Sequence, residues 1–308
     1  MPTAWMPADR MRLISIRHTT IYRYAEPVTL GEHRMMFRPR ESHDLRIVAT
    51  DLDIVPRPTM VRWLHDVFDN SVAIATFSLQ PCTELRFDST VTLEHIETAL
   101  PDYALEADAG AYPFQYSDDD RPDLAVALER HYPCDEVLPW ARGFLPSSGS
   151  IGTLAVLNSM TRAIKDTFVY VRRVERGVQS PGETLRRQSG SCRDFALLMM
   201  EAARSLGFAA RFVSGYVLTP GVAPDDGTTS GSTHGWMQAY LPGAGWVDFD
   251  PTNSIVGNRN LIRVAVAWDQ RNALPLWGTF TGRPSACSAM EVSVRVDEID
   301  SPLHSVPH

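Results

Sequence analysis

Gly190-Ser191-Cys192-Arg193-Asp194-Phe195-Ala196-Leu197-Leu198-Met199-Met200-Glu201-Ala202-Ala203-Arg204-Ser205-Leu206-Gly207 is the passage on which the reading of this chain turns. Phe195, Leu198, Met199, Ala202 and Leu206 recur at spacings of 3, 1, 3 and 4, which gathers them on one face of an α-helix. Gly207 supplies the stop. Cys192 therefore opens the helix, where unpaired backbone N–H groups and the positive end of the helix dipole favour a thiolate. The thiolate is the nucleophilic form of cysteine. A lone cysteine more often serves as a buried packing residue, so this one needs partners before it carries chemistry.

Those partners are sought downstream, where three β-like segments follow the helix: Arg211–Val217, Gly235–Tyr240 and Gly245–Asp250. Pro220 to Thr233, between the first two, reads as a long flexible loop. His234, in Ser232-Thr233-His234-Gly235-Trp236, enters the second segment from that loop and is well placed for a general base. Asp250 ends the third segment, in Phe249-Asp250-Pro251-Thr252-Asn253. Adjacent antiparallel strands would bring it beside His234, where it could fix the imidazole tautomer and stabilise the imidazolium. Taken alone it would be an Asp-Pro turn former. Together the three follow the order helix start, strand, strand, with separations of 42 and 16 residues, and make the apparatus of acyl transfer.

Upstream, Arg12 to about His95 alternates in short segments such as Leu13–Arg17, Thr20–Tyr24 and Leu45–Val48. Glu26-Pro27, Pro39-Arg40, Pro56-Arg57-Pro58 and Asp69-Asn70 punctuate them. Period-2 patterning at this spacing predicts an antiparallel β-sandwich or barrel, taken here as a β-sandwich over residues 12–97. Residues 98–122 have linker composition, and their acidic run Asp118-Asp119-Asp120 reads as a solvated loop rather than a calcium site. Helical patterns follow at Leu124–His131 and at Leu154, Leu157, Met160 and Ile164. Phe168–Val171 then reads as a short strand, Arg172–Gly182 as a loop and Met290–Val296 as a last strand. The predicted organisation is α+β, with a catalytic core over 123–297 and a flexible tail over 298–308.

Several of these motifs together resemble the core of bacterial transglutaminase-like proteins. The resemblance rests on Gly190–Ala196, on Leu206–Tyr216, on His234-Gly235-Trp236 and on Gly245–Asn253. It extends backwards, since His18–Val28, Arg38-Pro39-Arg40 and Asp66–Asn70 resemble the β-rich region that precedes this core in many bacterial members. The resemblance implies a papain-like or transglutaminase-like core in which a cysteine-bearing helix packs on an antiparallel sheet. It makes Cys192 the nucleophile, His234 the base and acid, and Asp250 the orienting carboxylate. Asp248 shares a strand face with Asp250 but lies about 7 Å further from the strand end. Eukaryotic transglutaminases place a tryptophan upstream of the nucleophile to stabilise the oxyanion, and this sequence has none between Trp140 and Cys192. The Cys192 backbone N–H is one expected donor, and Gln179 or Tyr170 is left as the second. Trp236 is placed to line the cleft or to pack in the core.

Composition narrows the remaining classes. With 29 Lys and Arg against 37 Asp and Glu, the net charge is −8, and no basic run tracks a phosphate backbone, which argues against nucleic acid as a partner. The opening residues lack the apolar stretch of a signal peptide, and no run of about 18 apolar residues occurs, so a cytoplasmic location away from membranes is expected. The four cysteines are dispersed without a CxxC pair, which speaks against zinc and against a disulfide scaffold; no metal or cofactor is implied. A thiol, a base and an orienter fit hydrolysis of peptide or amide bonds in a peptide or protein substrate. Amine transfer to protein glutamine and a non-catalytic binding scaffold are the alternatives.

Overall fold

A computed structural model describes residues 10–97, 104–171, 177–218 and 231–299. Its first sheet is organised by one long strand, β1 (Arg10–Met35). Along its first half Arg12, Ile14, Ile16, His18 and Thr20 are buried while the residues between them are exposed or half-buried, the alternation of a pleated strand. There β1 pairs with β5 (Cys82–Glu97), and β2 (Leu45–Val55) pairs with the far edge of β5. Its second half pairs through His33–Met35 with β4 (Ser71–Thr76), which carries β3 (Met60–His65). Glu26-Pro27 does not end a strand as expected. The β1 register shifts between Arg23 and Val28, and such an irregularity accommodates a proline that cannot donate to the ladder.

The predicted sandwich is therefore corrected to a single curled, half-barrel sheet. β1 runs through both halves and joins them into one seven-stranded sheet that curls over its shared core. Tyr24, Val28, Leu30, Met35, Phe37, Ile54, Leu85 and Phe87 fill the fold.

Short helices follow. Where a helix over Leu124–His131 was expected, α1 (Asp120–Asp123) and α2 (Ala125–Leu128) are single turns, and Glu129 is already extended. Pro122 and Pro133 bracket the segment and limit any longer helix. After α3 (Val137–Arg142), α4 (Thr153–Thr167) buries Val156, Leu157, Met160 and Ile164, and its first turn is flanked by the two-residue pair β6 (Ala111–Tyr112) and β7 (Ile151–Gly152). β8 (Val169–Tyr170) pairs in parallel with β9 (Ser189–Gly190) across α5 (Pro181–Arg187), so Tyr170 lies opposite Gly190. Helix α6 (Cys192–Ser205) is buried almost throughout. It carries a fully buried ion pair, Arg204 Nη1 to Glu201 Oε1 at 2.8 Å. Glu201 accepts the N–H groups of His131 and Tyr132, while Arg204 donates to the carbonyls of Ala127, Ala210 and Trp268. The preceding irregular segment is thereby pinned to α6.

The second sheet has the order β13-β12-β11-β10-β14, from β10 (Ala210–Leu218), β11 (Gly231–Leu241), β12 (Gly245–Asp250), β13 (Ile255–Val256) and β14 (Leu261–Ala267). Phe212, Met237, Ala239, Val247 and Phe249 share one cluster with Phe195–Ala203 of α6. The loop expected over 220–233 lies largely outside the described residues; its end, from Gly231, is already strand.

Residues 276–297, assigned to the core by sequence, and Glu298 and Ile299 of the expected tail return to the first sheet, and the rest of that tail lies outside the described residues. Both β15 (Leu276–Thr281) and β16 (Cys287–Ile299) pair with β1, on opposite halves. Ile14, Ile16, Val91, Leu93, Val294 and Val296 then bury against Tyr216, Leu218, Ile262 and Val264. The two sheets share one apolar interface. No described helix is long and apolar enough to cross a membrane.

Candidate active site

Ser191 caps α6 in extended conformation, and Asp194 closes the turn by accepting the Ser191 N–H and hydroxyl, each at 2.8 Å. Asp194 also accepts the Gln179 backbone N–H at 2.7 Å. A Cβ on Gly190 would lie 2.8 Å from Asp194 Cβ, so the entry to the helix needs glycine there. This turn fixes Cys192 as the first helical residue, partly buried and unpaired with any other cysteine.

His234 reaches the thiol from β11. The helix start can approach that strand because Gly235 has no side chain: a Cβ there would stand 2.9 Å from Phe212 Cζ and 3.2 Å from Arg193 Cγ. The Gly235 N–H consequently donates to the Cys192 sulfur, and the His234 side chain hydrogen-bonds it as well. His234 Nε2 lies 2.8 Å from Asp250 Oδ2, which leaves Nδ1 as the ring nitrogen facing sulfur. Asp250 is fully buried and further holds the N–H groups of Thr252 (2.9 Å) and the Asn253 side chain (2.8 Å).

The electrostatics run in one direction. Burial opposes ionisation of Cys192, yet the hydrogen bond and charge of His234, the Gly235 N–H and Arg193 bring the thiol below its ordinary range. Burial likewise opposes a charged His234, but Asp250 and the sulfur raise it well above an ordinary histidine. Asp250 is buried too, and His234 with the Asn253 and Thr252 donors still lowers it. The arrangement favours a thiolate beside an imidazolium.

Other expected residues fall differently. Gln179 is buried, and its Nε2 is spent on Ser189 O (3.1 Å) and Asp194 Oδ2 (3.4 Å); the atom left over is Oε1, an acceptor. In this geometry it has no donor to offer an oxyanion, a correction to the expected role, because the turn before α6 consumes its N–H groups. Tyr170 is half-exposed and stands opposite Gly190, two residues before the thiol. Trp236 does not line a cleft. It is fully buried with Val213, Val217, Leu261 and Val266, stacked on His234 with ring centroids 5.9 Å apart, and donates from Nε1 to Asp248 at 2.6 Å. Sequence reasoning missed Gly235 and Asn253 as members of the site. Both stand within the quoted motifs, but only contact across elements reveals their part.

Residues 152–251 match the transglutaminase-like superfamily, and residues 14–94 match the bacterial transglutaminase-like N-terminal region. Relatives are "Uncharacterized protein ML0607" of Mycobacterium leprae, 27% identical over 89% of this chain and 94% of that one, and "Uncharacterized protein Rv2569c" of Mycobacterium tuberculosis, 28% identical over 94% of each. A crystal structure named "Putative Cysteine Protease" from Cytophaga hutchinsonii superposes with a TM-score of 0.65 at 18% identity, over 95% of this chain and 93% of that one. At that identity the likeness is one of fold.

Proposed function

Because this chain belongs to the transglutaminase-like superfamily, we propose that it is a thiol-dependent acyl-transfer enzyme that hydrolyses peptide or amide bonds. Cys192 is the nucleophile, His234 the base and acid, and Asp250 the residue that orients and charges the imidazole. The observation that carries this reading is the chain of contacts from Cys192 through His234 to Asp250, with the thiol lowered and the histidine raised.

The Cys192 thiolate attacks the carbonyl carbon and pushes the π electrons onto oxygen, which meets the Cys192 backbone N–H at the helix start. As the C–N bond breaks, imidazolium His234 gives its Nδ1 proton to the leaving amine, and a thioester remains. Neutral His234 then takes a proton from water, whose oxygen attacks the thioester. Collapse releases the carboxylic acid and restores the thiolate. Asp250 holds the Nε2 proton throughout. Water is favoured over an amine as acceptor because efficient amine transfer needs a site that excludes water.

Cys192→Ala tests the assignment. The folded variant is expected to lose turnover of a peptide and glutamine-amide panel by at least about a thousandfold; full activity refutes the nucleophile. Incorporation of a labelled primary amine into a protein acceptor, without hydrolysis, would replace hydrolase by transglutaminase. A Cys192 that reacts with iodoacetamide no faster than a model thiol at pH 6 would instead mark a binding scaffold.

A further inference from the structure

Behind the histidine, a line of contacts leaves the second sheet and ends in the first. The Trp236 ring lies against the His234 imidazole with planes 25° apart. Gly215 backs the indole closely, since a Cβ there would stand 2.7 Å from Trp236 Cη2. Trp236 Nε1 donates to Asp248 Oδ1 at 2.6 Å, and Gln238 Nε2 donates to the same oxygen at 2.9 Å. Asp248 Oδ2 accepts from Arg263 Nη1 at 3.3 Å, and Arg263 Nη2 donates to Asp44 Oδ1 at 2.6 Å. Asp44 lies between β1 and β2, and its second oxygen accepts from Asn258 Nδ2 at 3.0 Å.

We propose that Asp44 and Arg263 are positioning residues for the Cys192–His234 pair, acting through Asp248 and Trp236, so that the first sheet sets the reactivity of the thiol. The inference rests on the reading that Cys192 and His234 react.

The physical case starts at Asp248. It is buried, and burial favours its protonated form; Arg263 opposes this first, with the Trp236 and Gln238 donors and the charge of Arg211 beside it, while Asp44 acts the other way. As a carboxylate it binds the indole N–H by a charge-assisted hydrogen bond, which fixes the ring plane. As a neutral acid it holds the ring more weakly. Arg263 is itself largely covered and is held in place by Asp44 from the turn that leads into β2 of the first sheet. Removal of Asp44 lets the guanidinium shift, loosens Asp248 and frees the tryptophan that flanks His234. A less restrained imidazole then stabilises the thiolate less.

The test follows iodoacetamide labelling of Cys192 by peptide mass spectrometry, as rate against pH, in the full-length wild type, Asp44→Asn, Arg263→Gln and Arg263→Lys. In Asp44→Asn and Arg263→Gln the acid limb is expected to move to higher pH, with labelling at pH 6 about three- to tenfold slower and labelling at high pH unchanged. Arg263→Lys keeps a cation between the carboxylates and is expected to recover most of the rate. A merely structural role would lower the melting temperature and leave the limb in place. If Arg263→Gln does not fold, Asp44→Asn decides. An unmoved limb in a folded Asp44→Asn refutes the proposal. If the wild-type limb itself sits at the pKa of a free thiol, the reading of the site fails instead.

Discussion

At the scale of single residues, the charge on Asp250 is the quantity to vary. Its carboxylate raises His234, and His234 in turn lowers Cys192. Asp250→Asn keeps the shape and removes the charge, so the imidazole falls toward neutrality and the thiol rises. Turnover is expected to drop about 100- to 10,000-fold, and the acid limb of the rate profile to move to higher pH. Measurement of kcat/KM against pH on any cleaved amide checks both. The three residues proposed to react could be singled out in sequence because each sits at a local signal: a helix start, a strand entrance and an Asp-Pro strand end. Gln179 could not, since whether its amide is free depends on Asp194 and Ser189, which fold brings to it.

At the scale of elements, the approach of α6 to β11 governs the site. Gly235→Ala adds a methyl against Phe212 and Arg193, which must push the helix start away. The variant is expected to lose about 1–3 kcal/mol of stability and to label with iodoacetamide at a rate closer to that of a free thiol, as denaturant melts and labelling kinetics would record. The other end of α6 depends on the buried Glu201–Arg204 pair. Glu201→Gln leaves the guanidinium buried without its carboxylate and weakens the hold on His131 and Tyr132. Destabilisation of about 3–5 kcal/mol is expected by calorimetry. The amphipathic period of α6 was legible in sequence, whereas Leu124–His131 was misread as one helix because Leu124 and Leu128 pack with Ala209 and with Tyr240 and Trp246 of the second sheet, while Glu201 and Arg204 of α6 hold its backbone groups.

For the whole molecule, the union of the two sheets is expected to be acid-sensitive. His18 of β1 is buried, lies 2.9 Å from Tyr216 Oη of β10, and is lowered by burial from 6.5 to about 4. His95 of β5 is lowered to about 4, by burial first and then by Arg12. In each case the unfolded chain takes up the proton first, so stability is full above pH 6.5 and falls steadily toward pH 4, by about 3 kcal/mol per histidine. His18→Gln should flatten that slope in urea melts between pH 7 and 4; an unchanged slope would remove His18 from the account. What the sequence determined by itself was local: the helix that begins at Cys192, the alternation of the strands, and the order of thiol, imidazole and carboxylate, because helical and pleated periods and capping residues act over a few neighbours. Tertiary structure decided that the first sheet curls around β1 instead of forming a sandwich, that the last two strands return to it, and that Asp44 stands behind Asp248. Those outcomes depend on which edges and buried charges find one another across some 200 residues, as Asp44 and Arg263 do at a separation of 219, and no local period encodes that pairing.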